Sequence, residues 1–244
     1  YYERNTVNIT FKLAGGNIGG NTNDVVRSGK YGAALTLPVN PEKTGFAFKE
    51  WNPALPSPLV FPAADTQYTA DWARLYIVTF GTPANGTLKA TAEGVAETAT
   101  SPISVEKDKT VTFTAAPESG YKVDKWTVTP ASALQEGGTE GSLTAKVKIT
   151  ANTEVKVSFT ELPPGSYTVK HYQEKTEGGY PAEPTGTESL SGTSGKPVAY
   201  TPKTYEGFTY KPTLTKVNGI VQGTGAIAAD NSTVVELYYE RNTV

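Results

Sequence analysis

YYERNTV stands at residues 1–7 and again, unchanged, at residues 238–244. An identical segment that returns after a long interval is the mark of tandem repetition, so the chain between is read as modules in a row. On this reading residues 238–240 complete the last strand of one module, and residues 242–244 open the first strand of the next. Tyr1 to Glu3 are then the remnant of a preceding copy, without the sheet that pairs with Tyr238 to Glu240. The heptad holds neither glycine nor proline, which predicts a stiff joint between strands.

At 244 residues the chain is long for one domain and comfortable for two or three. Cysteine and methionine are both absent, which excludes disulfide staples, thiol nucleophiles and Cys-type zinc sites. The missing Met points to an internal or mature segment of a longer protein. The 22 basic and 24 acidic residues leave a net charge of −2, spread evenly along the chain. No basic patch of the kind that nucleic acid or anionic lipid requires is present. No apolar run reaches the length of a membrane span, and no signal-peptide pattern occurs. Threonine, glycine, proline, valine and tyrosine dominate, a palette of short strands joined by turns, so the expected class is mainly β with little helix.

Taken in order, residues 8–13 (NITFKL) alternate with Ile9, Phe11 and Leu13 on one face, as a half-buried strand does. The AGGNIGG segment at 14–20 breaks it, and residues 28–37 are expected to form a second strand. Phe46 and Phe48 follow on an extended strand that reaches Trp51, and Tyr68, Ala70 and Trp72 fall in phase on a closing strand. A second set begins with LYIVTF at 75–80, with TLKATA at 87–92 as its expected hairpin partner. Strands at 109–115, 143–149 and 153–159 complete it, around a Gly120-Tyr121…Trp126 signature; six or seven strands are expected in all. Pro163 and Pro164 mark the clearest border, because proline fixes φ and cannot donate to a ladder. A third set runs from YTVKHYQ at 167–173, through YEGFTY at 205–210 and the turn pair Asn218-Gly219, to STVVELYY at 232–239. The resulting division is 1–73, 74–161 and 162–244.

Three resemblances attach to these residues. LAGG, PVNPEKTGFAFKEWNP and TQYTADWA in residues 1–73 resemble the internalin-type B-repeat of bacterial surface proteins, with Gly45, Phe46, Phe48, Trp51 and Trp72 at its motif positions. The NPALPSPL insertion at 52–59 departs from that pattern and leaves the path to the last strand open. Residues 74–161, through Asn85-Gly86-Thr87-Leu88 and Gly120-Tyr121…Trp126, resemble the divergent B-repeat. Residues 162–244, through TVKHYQE, LSGTSGKPV, YEGFTYKP and STVVELYYE, resemble the mucin-binding-protein type of repeat. The first and third resemblances imply a β-grasp-like, ubiquitin-like fold; together the three imply an extracellular protein of the bacterial surface or cell wall.

Residues able to carry chemistry are few. His171 is the single histidine; it has no Glu-x-x-His or His-x-x-x-His partner and reads as a half-buried or edge strand residue. No serine lies in a Gly-x-Ser-x-Gly elbow. The glycines at 15–20 lack the Lys-Ser/Thr ending and following helix of a phosphate loop and read as a turn. Asp65, Asp71, Asp108 and Asp124 lack calcium-loop spacing and read as solvated turn residues. No catalytic, metal or cofactor site is expected, and no enzyme. The three tryptophans fall in phase with core positions. Tyrosine is the better surface candidate: eight of the fourteen lie in residues 162–244, with Tyr172 out of phase with Tyr167 and Val169, and Tyr180, Tyr205 and Tyr210 beside turns. Exposed tyrosine marks recognition surfaces, and cross-strand aromatic pairing accounts for the same pattern. Lys170 is weighed as a partner in an intramolecular isopeptide bond. The function expected is a tandem-repeat stalk of a surface adhesin. The alternative is a binding module whose third unit contacts mucin-type glycans or host surface proteins through Tyr172, Tyr180, Tyr205 and Tyr210. Partners are then host glycans, host proteins or neighbouring repeats of the same chain, with neither nucleic acid nor inserted membrane.

Overall fold

The computed structural model describes residues 3–243. They form β-strands arranged in three sheets, with two single-turn 3₁₀ segments at Ala131–Ala133 and Pro212–Leu214. Three separate clusters of buried side chains follow one another along the chain. The mainly β expectation holds.

The first cluster is enclosed by β1 (Thr6–Lys12), β2 (Val25–Lys30), β3 (Phe46–Asn52) and the first half of β4 (Thr66–Phe80). Their lateral order is β2-β1-β4-β3, with β1 and β4 parallel and the outer pairs antiparallel. Alternation sends Val7, Ile9 and Phe11 inward, opposite Tyr68 and Ala70. Phe11 meets the Trp51 edge at 4.9 Å and stacks on Tyr68 at 5.6 Å. Such contacts each add about 0.5–1.5 kcal/mol beyond area burial. A parallel pair needs a long crossover; here residues 13–65, which carry β2 and β3, supply it without an α-helix, and Leu35 and Phe61 from that connection join the core. The strand expected at 28–37 stops at Lys30. Gly32 takes φ +77° and the Ala33 amide turns back onto Lys30 O at 2.9 Å, so the ladder cannot continue.

β4 runs on without interruption from the first cluster into the second. Residues 66–80 hold no glycine or proline, and Tyr68, Ala70, Val78 and Phe80 keep one parity while serving two cores. The expected border at 73/74 therefore falls inside a strand.

The second cluster is a sandwich. One face is β7 (Ile103–Glu106), the end of β4, β12 (Thr153–Glu161) and β9 (Tyr121–Thr129). The other is β10 (Leu134–Gly137), β11 (Thr144–Lys148), β8 (Thr110–Pro117), β5 (Gly86–Ala92) and β6 (Val95–Thr98), all antiparallel. Phe80 and Phe113 meet edge to face across the interior at 5.5 Å. Eight strands plus the end of β4 exceed the six or seven expected. The expected hairpin between 75–80 and 87–92 does not form. Both edges of β4 are already occupied, by β7 and by β12, so β5 crosses to the facing sheet and pairs with β8.

The third cluster repeats the plan of the first. β13 (Pro164–Gln173) lies antiparallel to β14 (Gly186–Thr193) and parallel to β18 (Val234–Arg241). On the other side of β18 pair β15 (Phe208–Tyr210) and β16 (Lys216–Val217), the latter continued by β17 (Ile220–Val221). The hairpin of β16 and β17 turns through Asn218 at φ +50° and Gly219 at φ +78°, the conformation an Asn-Gly pair favours. Pro164 is tolerated as the first residue of β13 because no ladder donor is needed there. Glu3, Arg4 and Asn5 carry no strand, whereas Glu240 lies within β18. The remainder of the expectation for the opening heptad, on Tyr1 and Tyr2, lies outside the described residues, as does that for Val244.

Candidate functional site

The four tyrosines proposed for recognition do not share a surface. On β13, Tyr167, Val169 and His171 face the third core, while Lys170 and Tyr172 lie on the opposite face; Tyr172 is nonetheless buried there (7% exposed), not the exposed tyrosine expected. Tyr172 stacks on Tyr238 of the neighbouring strand at 5.1 Å, and Tyr180 meets Tyr238 edge-on at 4.8 Å. With Leu214, Lys216 and Val221, Tyr180 and Tyr238 line a shallow hollow of about 190 Å³. The Lys216 ammonium sits 5.2 Å from the Tyr238 ring. Ile220 and Val221 beside it are 67% and 54% exposed, unusual for residues of this size. Burial pushes the Tyr172 and Tyr180 phenols above their ordinary value, so both stay neutral donors at physiological pH.

Tyr205 and Tyr210 lie on the opposite face, against the third core. Tyr205 meets Tyr239 edge-on at 4.9 Å, and Tyr210 is tilted against the same ring with its hydroxyl 2.5 Å from Thr215 Oγ1. Lys170 stands between Thr187 and Glu236 on the flanking strands, half-buried. On the first sheet the corresponding outer positions are Thr6, Asn8, Thr10 and Lys12, and none is aromatic.

His171 is wholly buried on the central strand, not at an edge. Its Nε2 lies 2.7 Å from Glu188 Oε1 and its Nδ1 2.8 Å from the Tyr239 hydroxyl. A carboxylate only accepts, so Nε2 carries the proton in the neutral ring and Tyr239 donates to Nδ1. Tyr239 oxygen in turn accepts the Lys203 amide at 3.1 Å. Every polar atom of this chain has a partner, the condition for burying it. The hydrogen bond from His171 holds the Glu188 carboxyl below its usual range. Burial pushes the Tyr239 phenol up to about 12. The triad-like order Glu–His–Tyr ends on a buried phenol, enclosed by Tyr205 and Tyr210, with no opening onto a substrate. Nothing in the sequence around residue 171 signalled Glu188 and Tyr239, which arrive from two other strands.

The tryptophans are structural. Trp51 and Trp126 are buried; the indole N–H of Trp126 donates to Ser142 O at 2.9 Å, and that of Trp72 to Leu13 O at 3.2 Å. Gly16 packs under Trp72: a Cβ there would stand 2.5 Å from the ring, so this glycine is required by close approach. A hollow of about 450 Å³ is open and lined by residues such as Lys125, Thr127, Lys156 and Ser158. Among the described residues no group of three or more His, Cys, Asp or Glu side chains is placed to hold a metal, and no helix is long and apolar enough to cross a membrane.

The feature that recurs is the way each cluster is left. Gly45, Gly120 and Gly207 all adopt positive φ (+77°, +87° and +79°) and each is followed by an aromatic residue, Phe46, Tyr121 or Phe208. Each glycine carbonyl accepts an amide from the exiting chain: Leu75 at 2.9 Å, Leu162 at 2.8 Å and Asn242 at 2.9 Å. Each aromatic ring carries a cation: the Arg74 guanidinium over Phe46 at 5.1 Å, Lys196 over Tyr121 at 4.9 Å and Arg241 over Phe208 at 4.8 Å.

At the first exit Arg74 also lies 5.6 Å from the Tyr76 ring, and its carbonyl accepts the Lys107 amide at 2.8 Å, so one residue ties both sides. At the second, the turn Ser194-Gly195-Lys196 seats on Gly120-Tyr121. Ser119 donates to Gly195 O, the Ser194 amide donates to Pro163 O at 3.2 Å, and a Cβ on Gly195 would lie 2.9 Å from Gly120 N. Backbone contact this close leaves no length of free linker.

Residues 85–163 match the family model described as a divergent InlB B-repeat domain. The match takes in β5 to β12 and ends at the second exit. No curated protein matches the chain. The middle module is thus similar to a known repeat domain, and the all-β fold with this match fits a non-enzymatic structural module.

Proposed function

We propose that residues 1–244 hold one period, and the start of the next, of a tandem-repeat spacer in a secreted or wall-anchored bacterial surface adhesin, built from units 1–73, 74–161 and 162–244. B-repeats are typical of bacterial surface proteins, and the match at 85–163 supports that setting. The observation that carries the reading is the recurrent exit clamp. A chain meant to hold ligand-binding domains on a flexible tether would place polar linkers between them. Here glycine carbonyls, aromatic rings and cations close every exit, and β4 is shared between two cores. The test places a fluorescent tag at the outer end of a surface-anchored form and measures its height above the wall. A flexible Gly-Ser replacement of equal length has an expected end-to-end distance of only about 80–90 Å. The spacer reading expects the native period to hold the tag measurably higher; equal heights would overturn it.

A second reading rests on a specific contrast. The outer face of the third sheet carries Tyr180 and Tyr238, over a buried Tyr172, beside exposed Ile220 and Val221, where the outer positions of β1 in the first sheet are polar. Aromatic faces of this kind stack on sugar rings and on apolar side chains, which supports contact with mucin-type glycans or a host surface protein. On this reading the contacts fall to Tyr180 and Tyr238, since Tyr205 and Tyr210 serve the core and Tyr172 is buried beneath Tyr238. A glycan array with the whole chain and its Tyr180→Ala and Tyr238→Ala variants distinguishes the readings. Binding that the variants lose supports recognition; no binding at millimolar glycan removes it and leaves the spacer alone.

A further inference from the structure

We infer that the end of the third module is a preformed docking seat for the first module of another copy of this chain, joined in tandem through Arg241 and Asn242. The inference deepens the spacer reading and rests on it. Because YYERNTV occurs twice, the structure displays both halves of one joint: its backward contacts at residues 240–243 and its forward contacts at residues 3–6.

Backward, the Asn242 amide donates to Gly207 O at 2.9 Å and its side-chain oxygen accepts from Thr209 Oγ1 at 2.6 Å. Arg241 donates from its backbone to Glu174 Oε2 at 2.9 Å and from Nη2 to Glu174 O at 3.2 Å, with its guanidinium over Phe208. Forward, the same asparagine, as Asn5, offers its carbonyl to the Tyr31 amide at 3.1 Å. The same arginine, as Arg4, donates from Nη1 to Tyr31 O at 3.4 Å. No atom is claimed twice. Asparagine uses N–H and side chain backward and C=O forward; arginine uses Nη2 backward and Nη1 forward. Both sets can therefore hold in a single joint.

The joint between the second and third modules supplies a template for the seat. There Ser194 donates to Pro163 O, as Tyr31 does to Asn5 O, and Pro164 pairs with Thr193 as Thr6 pairs with Lys30. The positive-φ glycine of the turn is Gly195 in one and Gly32 in the other. Gly195 rests on Gly120-Tyr121, so the Tyr31-Gly32 turn of a following copy is directed onto Gly207-Phe208. A Cβ at Gly207 would meet nothing within 4 Å, and Glu174, Thr209, Lys211 and Glu240 frame an open hollow of about 470 Å³ beside Asn242. At residues 162–163 two residues divide the backward and forward bonds. At the repeat joint Asn242 performs both, which makes it one residue shorter.

The test uses a chain of two complete periods, residues 1–244 followed by 8–244. The protein has no cysteine, so Ser189→Cys in the first copy and Val26→Cys in the second, both on exposed strand positions, take one spin-label pair across the joint. Pulsed dipolar spectroscopy is expected to give one narrow distance peak, as narrow as a label pair placed within a single module. Inserting Gly-Ser-Gly-Ser after the first Asn242, or changing the first Arg241→Ala, should broaden it at least twofold. A native distribution as broad as that of the insertion form would overturn the docking seat, as would a narrow peak indifferent to both changes. A broad joint leaves the tag-height test of the spacer untouched, so the two failures are distinguishable.

Discussion

Tyr239 and His171 show how a polar residue enters a strand core at low cost: each hydrogen-bonding atom is matched, and the chain ends on a carboxylate at the rim. Titration should report the arrangement from both ends. Glu188 sits below its ordinary 4.5 chiefly through its bond from His171. A depressed carboxyl contributes stability that is present above its unfolded value and lost as pH falls. Denaturant unfolding of the third module, followed by tyrosine signal, should therefore weaken below about pH 4.5, and Glu188→Gln should flatten that acid slope. Tyr239 moves the other way, from 10.0 to about 12. Its contribution is complete below pH 10.0 and lost as pH rises toward 12, a slope that Tyr239→Phe should remove. All three tryptophans lie outside residues 162–244, so a shift seen in tryptophan fluorescence instead would contradict the assignment.

At the scale of the element, period-two alternation was legible wherever a strand is half-buried. Ile9 and Phe11, Val111 and Phe113, and Val235 with Leu237 and Tyr239 all fall inward as their spacing predicts. What alternation does not encode is which strand lies alongside. The expected pairing of 75–80 with 87–92 failed because β7 and β12, distant in sequence, occupy both edges of β4. The same blindness divided the tyrosines: phase put Tyr172 on the face away from the third core but not in solvent, since it is buried there at 7% exposure, and Tyr205 and Tyr210 sit in or beside a short strand with no phase to read. The continuity of β4 was legible, since residues 66–80 contain no breaker; the change of core partner midway disguised it. The alternation yields a quantitative expectation. Phe113→Ala, at the centre of the sandwich, should cost about 3–5 kcal/mol. Ile77→Ala, 41% exposed on β4, should fall within about 0.5 kcal/mol. Comparable losses from guanidinium unfolding would mean that β4 is turned over.

Across the whole molecule, three small cores are linked by the same device and not by tethers. Gly45, Gly120 and Gly207 each present a carbonyl to the departing strand, and a cation covers the ring that follows. Glycine is favoured at all three positions because φ is positive; at Gly45 and Gly207 a side chain would meet nothing, whereas at Gly120 a Cβ would also stand 2.6 Å from the Lys196 side chain. The Gly–aromatic spacing could be read in the sequence, where it served as a family signature; its use as a joint depends on the backbone amides of Leu75, Leu162 and Asn242, which side-chain identity does not announce. Surface ion pairs such as Lys89–Glu97 and Lys146–Glu136 lie within the modules, largely exposed, and add little. Rigidity is therefore assigned to the joints. Residual dipolar couplings from residues 1–244 in a dilute aligning medium test this most directly. One alignment tensor should fit the amides of all three modules, and a Gly-Ser-Gly-Ser insertion after Leu162 should split the third module into a tensor of its own. Separate tensors for the three modules in the native chain would contradict the account.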